Sequence, residues 1–206
     1  NRDRFASARR DDISRGYADF YRKRYGQLRE SAPLQIRDDR DSNALTITGR
    51  YLLDAPFQNI DATTRTLDVY ADALSVPASL PKSMARSGPL YLAVPGEYRH
   101  RIDLVVPKGW EARFGSEAEE YKAEAFDYTR EVKPRADGVA IDYRMRVREY
   151  EMPAAGVTAQ LQELRKTSDS LSARLQFQVP ASLDAGERDR RLQDLIRDAM
   201  NEGARK

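Results

Sequence analysis

From Val139 to Val147 every second residue is apolar, and the intervening positions from Asp142 onward are charged. Val139, Ile141, Tyr143, Met145 and Val147 point one way, and Asp142, Arg144, Arg146 and Arg148 the other. A period of two assigns a β-strand with one buried and one solvated face, which belongs to an antiparallel sheet. Asp137-Gly138 stands just before this strand, and Ala125 to Val132 precedes the turn, so the two runs predict a hairpin. Tyr98 to Val106 repeats the pattern. Tyr98, His100, Ile102, Leu104 and Val106 alternate with Arg99, Arg101 and Asp103, and Pro107-Lys108-Gly109 turns the chain toward Trp110. Any fold for this chain must accommodate such sheets.

Helical spacing frames them. Ile13, Tyr17, Phe20, Tyr21, Tyr25 and Leu28 form an aromatic stripe that asks for a sheet to lie on. Gly26 ends that helix, and Pro33 closes the connection. Leu34 to Ile36, an acidic turn from Asp38 to Asn43, and Leu45, Ile47, Tyr51 and Leu53 predict a second hairpin, with Gly49 marking a bulge. A further strand is predicted over Thr66 to Ala71. A short helical turn and loop follow over Asp72 to Pro89, anchored by Leu74, Val76, Leu80 and Met84. A helix is predicted from about Ala155 to Ser172 on Val157, Leu161, Leu164, Leu171 and Leu175, with Ser168 as a polar gap. Leu175, Phe177 and Val179 return to period two. A last helix, capped by Ser182 or Asp184, carries Leu192, Leu195, Ile196 and Met200.

The fold class expected is α+β. Antiparallel β-sheets, with a β-sandwich as one arrangement of them, carry a packed N-terminal helix and one or two C-terminal helices. One module over residues 1–206 is expected, with a weak seam near residue 88 at Ser87-Gly88-Pro89. The chain opens at Asn1 without an initiator Met, so it is expected to be part of a longer protein.

Composition narrows function by exclusion. With no cysteine, a disulfide, a thiolate metal site and a thiol nucleophile are all ruled out. Lys and Arg number 35 against 33 Asp and Glu, a net charge of +2 that gives no field to gather nucleic acid. No apolar run approaches the roughly 20 residues of a bilayer span. Neither nucleic-acid binding nor membrane insertion is expected, no cofactor is called for, and the oligomeric state is left open.

Several pieces in order resemble a known arrangement. Asp19-Phe20-Tyr21 to Tyr25 precedes Asp38-Asp39 to Asn43-Ala44-Leu45 and Arg50-Tyr51. Tyr98-Arg99-His100-Arg101-Ile102, Leu104 to Trp110, Phe126-Asp127-Tyr128 and Ile141-Asp142-Tyr143 follow. Over roughly residues 5 to 180 this resembles the β-rich C-terminal region of bacterial transglutaminase-like proteins, the type whose N-terminal domain is of unknown function. The resemblance implies a periplasmic or cell-envelope setting and an accessory role beside a papain-like core. The Cys, His and Asp of that core do not carry over, because this chain lacks the sulfur nucleophile.

Few residues invite chemistry. His100 is the single histidine and reads as a half-buried, hydrogen-bonded strand residue. Asp38, Asp39 and Asp41 lack the glycine and distal glutamate of a calcium loop and stand beside Arg37 and Arg40, so they read as a solvated turn. Glu117, Glu119 and Glu120 read as a polar loop. Tyr17, Phe20, Tyr21 and Tyr25 read as core rather than as a sugar-stacking platform. The sharpest candidate is an arginine ladder. Arg99, Arg101, Arg144, Arg146 and Arg148 share a face if their strands are neighbours, and would grip carboxylates or phosphates or dock another domain. Balance by Asp103, Asp142 and Glu149 is the plainer reading.

The expected function is therefore a non-catalytic accessory module that docks on the transglutaminase-like core of the same polypeptide. The alternative is a stand-alone module that binds an envelope polysaccharide or peptide. A hydrolase using two carboxylates ranks last, since no spacing argues for such a pair.

Overall fold

The computed structural model describes residues 9–83, 88–152, 154 and 156–181. It has the α+β class the patterning calls for, with strands in antiparallel sheets. The chain divides into two compact units, Asn1–Phe57 and Gln58–Lys206. The division falls after the first hairpin and not at the seam near residue 88. That seam lies inside the second unit, where β5 (Leu90–Tyr91) pairs with the distant β11 (Glu151–Met152). The last helix expected after Ser182 lies outside the described residues, as does Met84.

In the first unit, α1 (Arg10–Tyr25) carries Asp11 and Asp12 in its first turn and Arg22, Lys23 and Arg24 in its last, which suits the helix dipole. Gly26, at φ +80°, ends it and donates its amide to Arg22 O at 2.9 Å. α1 packs on β1 (Leu28–Asp39), which pairs with β2 (Ala44–Leu53). The face turned to the hairpin holds Ala18, which is buried, and Tyr17, Tyr21 and Tyr25, which are half-buried. The Tyr21 ring lies 5.4 Å from Tyr51, and Ser14 donates to Glu30 at 2.9 Å. Phe20 departs from the expected core and is 45% exposed. It follows Ala18 by two residues, about 200° of helical rotation, so it faces away from the hairpin.

Pro33 does not close the connection after α1; it lies within β1. Two register shifts occur there, one between Glu30 and Ala32 and one between Ala32 and Gln35, and Pro33 lies within the second. A proline cannot donate to the ladder and is accommodated where pairing is broken. Gly49 stands across from this irregularity, and a Cβ there would sit 2.7 Å from the Tyr51 ring. The glycine marks the bulge, while the extra residues belong to the opposite strand.

The second unit is built on two four-stranded antiparallel sheets. One has the order β6 (Gly96–Val105), β10 (Gly138–Val147), β9 (Phe126–Arg135), β8 (Glu117–Lys122). The other has the order β3 (Gln58–Asn59), β4 (Thr64–Tyr70), β12 (Ser172–Gln178), β7 (Glu111–Ala112). β10 is internal, and Val139, Ile141, Tyr143 and Met145 along it are wholly buried. Burying Val139, Ile141 and Met145 contributes roughly 1.5–3 kcal/mol each. Phe126, Tyr128 and Val132 of β9, Leu67 and Val69 of β4, and Leu175 and Phe177 of β12 extend the core.

α2 (Val157–Ser170) packs against β8, and Gly156 precedes it at φ +81°. Its buried stripe is Val157, Gln160, Leu161, Leu164, Thr167 and Ser170. The polar gap expected at Ser168 is bridged by Thr167, which is fully buried and returns its hydroxyl to Glu163 O at 2.9 Å. A 3₁₀ turn at Asp72–Leu74 begins the loop after β4. Leu74 and Ala78 anchor that loop, whereas Val76 is 73% exposed and does not.

Candidate functional site

The alternation of β6 and β10 brings the arginine ladder together. The two strands are hydrogen-bonded neighbours, with Arg99 directly opposite Arg144, Arg101 opposite Asp142, and Arg146 opposite Glu97. Like charges placed opposite each other destabilise a ladder. Asp142 relieves the clash. Arg99 Nε lies 3.1 and 3.2 Å from its two carboxylate oxygens, with Nη2 in closer contact. Arg144 Nε donates to Asp142 Oδ1 at 2.9 Å, and Arg101 Nη1 lies 3.8 Å from Oδ2. Three guanidinium groups thus surround one carboxylate that is only 14% exposed. Burial alone would raise the Asp142 pKa. The hydrogen bonds from Arg99 and Arg144 outweigh it and hold the group below the usual carboxylate range.

The rest of the ladder is partly balanced. Arg101 also donates to Asp103 through Nε at 2.8 Å and Nη2 at 3.1 Å, and this hydrogen bond lowers the Asp103 pKa. Arg148 turns away from the other four, pairing with Asp127 and donating to Glu124 O at 3.1 Å. Arg146 forms no ion pair among the described residues. Asp103 and Asp142 act as counter-charges, as the plainer reading holds. Asp127, and not Glu149, completes the set. A shallow open depression of about 750 Å³, bordered by Pro95, Gly96, Glu97, Arg146, Val147 and Arg148, lies at this end of the sheet.

His100 sits on the inner side of β6. Its Nδ1 accepts the Ala73 amide at 3.4 Å, and its ring meets Tyr143 edge-on at 6.4 Å. Burial lowers its pKa, which favours the neutral ring that such acceptance requires. The acidic turn between β1 and β2 is satisfied locally. Asp39 accepts the Ser42 amide at 3.1 Å, and Arg37 and Arg40 lie 3.7 and 3.5 Å from Asp39 and Asp38.

Glu117, Glu119 and Glu120 do not form a polar loop; they lie on β8. Glu119 stands opposite Arg130 of β9 and belongs to a partly buried network, whereas Glu117 is exposed. Arg130 Nη2 contacts Glu119 Oε1 at 2.7 Å, and Arg130 Nη1 reaches the carbonyl oxygens of Ser170 and Ser172, each at 3.3 Å. Ser170 hydrogen-bonds Glu119, and its Oγ lies 3.0 Å from the Tyr128 hydroxyl. Tyr121 stacks on Tyr128 with centroids 5.8 Å apart. Burial drives the Tyr128 pKa up to about 12. One sequence signal pointed here: Arg130 occupies the same parity as Phe126, Tyr128 and Val132, a charge on the apolar side of a strand. Ser170 and Tyr128 are both buried, and the network joins β8 and β9 to the end of α2.

The comparisons with known proteins add little. No family model matches the chain, and no curated protein matches it. A solved structure described as a "putative protease" from Parabacteroides distasonis ATCC 8503 aligns over 55% of this chain with 12% identity and a TM-score of 0.45. This chain spans 23% of that protein's chain. A match at that level assigns neither fold nor activity.

Proposed function

We propose that this chain is a non-catalytic interaction module, accessory to a transglutaminase-like core in the cell envelope, and that the arginine face of β6 and β10 is its docking surface. The transglutaminase and envelope parts of this reading rest on the sequence resemblance. The docking part is supported by one observation: Asp142 orders Arg99 and Arg144, and Asp103 orders Arg101, while local positive charge remains. Arginines already fixed by an underlying carboxylate lose little side-chain freedom when they meet a partner's carboxylates. Arg146, beside them, brings a guanidinium with no carboxylate of its own among the described residues.

Reversing Arg144 and Arg146 to Glu places like charges against an acidic partner. Association with the transglutaminase-like core, measured by co-purification and by binding titration, should weaken about 100-fold. Unchanged association of the double variant would show that this face is not the docking surface.

The alternative, a module for an envelope polysaccharide or peptide, draws on a different feature. Tyr91 and Tyr150 lie 5.5 Å apart and are 59% and 53% exposed. Saturable glycan binding lost in Tyr150→Ala and kept in the arginine variant would favour it.

A further inference from the structure

The outer edge of β6 carries a pattern complementary to itself. Gly138 lies opposite Val105, while the next residue, Val106, donates its amide to Asp137 O at 2.9 Å. Hydrogen-bonded and non-hydrogen-bonded positions alternate along an antiparallel pair. Tyr98, His100, Ile102 and Leu104 therefore turn their backbone groups toward β10, and Arg99, Arg101, Asp103 and Val105 turn theirs to the outside. Among the described residues no backbone group takes these up. The ladder to β10 runs through ten pairs without a shift, and β6 contains no proline. The 3₁₀ turn at Asp72–Leu74 packs on β6 and bonds the His100 ring, while the outward backbone groups of this regular edge present a template for another strand.

We propose that β6 pairs antiparallel with β6 of a second copy of this chain, about a two-fold axis through Ile102. In that register Arg101 stands opposite the partner's Asp103, and Asp103 opposite the partner's Arg101. Arg99 meets the partner's Val105, which is 71% exposed in the single chain. On the other face Ile102 meets its own copy, and His100 meets the partner's Leu104. Tyr98, Ile102 and Leu104 are only half-buried, although their opposite numbers on β10, Met145, Ile141 and Val139, are fully buried. The second strand covers that remaining apolar edge. Arg99, Arg101, Asp103 and Val105 are also the residues whose outward backbone groups this register pairs. Sliding by two residues one way sets Arg101 on Arg101, and the other way Asp103 on Asp103, both repulsive. Sliding by one turns apolar side chains onto the charged face. The occupant is thus a second copy in one register, and the β6-edged sheets of the two copies join into one continuous sheet of the symmetric kind.

Analytical ultracentrifugation over a range of chain concentrations tests this, using wild type, Arg101→Asp, Asp103→Arg and an equal mixture of the two variants. Wild type should pass from monomer to dimer as concentration rises. Each single variant sets like charges opposite each other twice, and its association constant should fall by about tenfold or more. In the mixture, the Arg101→Asp chain presents two carboxylates at these positions and the Asp103→Arg chain two guanidinium groups. Both cross-strand pairs are then of opposite charge, and the dimer should be recovered. That recovery also shows that neither variant has lost its fold. A wild type that stays monomeric at millimolar concentration, or a mixture that associates no better than its components, overturns the proposal. Arg144→Glu and Arg146→Glu lie off this edge and should leave the dimer intact, so failure of the docking reading is told apart from failure of this one.

Discussion

At the residue scale, His100 and Gly138 have consequences that can be measured. The chain has one histidine, and burial holds its pKa below the ordinary 6.5. As pH falls, the unfolded chain takes up this proton before the folded chain does. The stabilisation is therefore complete above 6.5 and is lost as pH falls from there through the folded value. The urea midpoint of the wild type should drop between about pH 7 and pH 5. His100→Asn, which keeps an acceptor for Ala73 without a titrating ring, should flatten that drop even if its midpoint is lower throughout; an unaltered slope would assign the effect elsewhere. Gly138 is more severe. Its φ is +152°, and an added Cβ would lie 1.9 Å from Leu104 O, so backbone must move. Gly138→Ala should destabilise the protein by roughly 3 kcal/mol in denaturant titration. The role of His100 was legible as a lone histidine on an apolar parity. The need for glycine at 138 was legible only as a turn residue, because its close approach to Leu104 depends on β6 lying beside β10, a non-local pairing that no local spacing records.

At the element scale, the period-two strands are the elements most legible in the sequence. β6, β9 and β10 appear where the alternation places them, and the ladder they carry assembles because β6 pairs with β10. Elements with weak or competing signals are less legible. β8 has Glu117, Glu119 and Glu120 in six residues and little apolar content, so its composition resembles a loop. Its strand conformation comes from hairpin pairing with β9, from the Glu119–Arg130 contact across that hairpin, and from the bond between Glu119 and the distant Ser170, none of which the alternation within β8 records. Pro33 misled in the same way, since its place in β1 depends on a bulge opposite Gly49. Arg130 gives the corresponding test. Its side chain is 11% exposed and joins β8 and β9 to the end of α2. Arg130→Met should cost about 2 kcal/mol, since it leaves Glu119 and the Ser170 carbonyl without their charged donor. Amide hydrogen exchange should quicken first in β8; protection unchanged there would mean that the network does not hold the strand.

At the scale of the whole molecule, two units of unequal construction share one chain. The first unit rests on a two-stranded hairpin and one helix, and so few strands give little stability on their own. The second unit has two four-stranded sheets and most of the fully buried side chains. The boundary at Phe57 was not legible, because no run of glycine, serine or proline marks it. Function is less legible still. A net charge of +2 and a ladder partly neutralised by Asp103, Asp127 and Asp142 leave a surface whose meaning depends on its partner. The proposal that this surface docks through charge makes one quantity decisive. It is the affinity of the intact chain for a transglutaminase-like core across a series of salt concentrations. The chain should associate measurably at low salt and progressively less as salt rises, since exposed charges are screened within about 10 Å at 0.1 M. Association indifferent to salt, or none at low salt, would contradict the proposal.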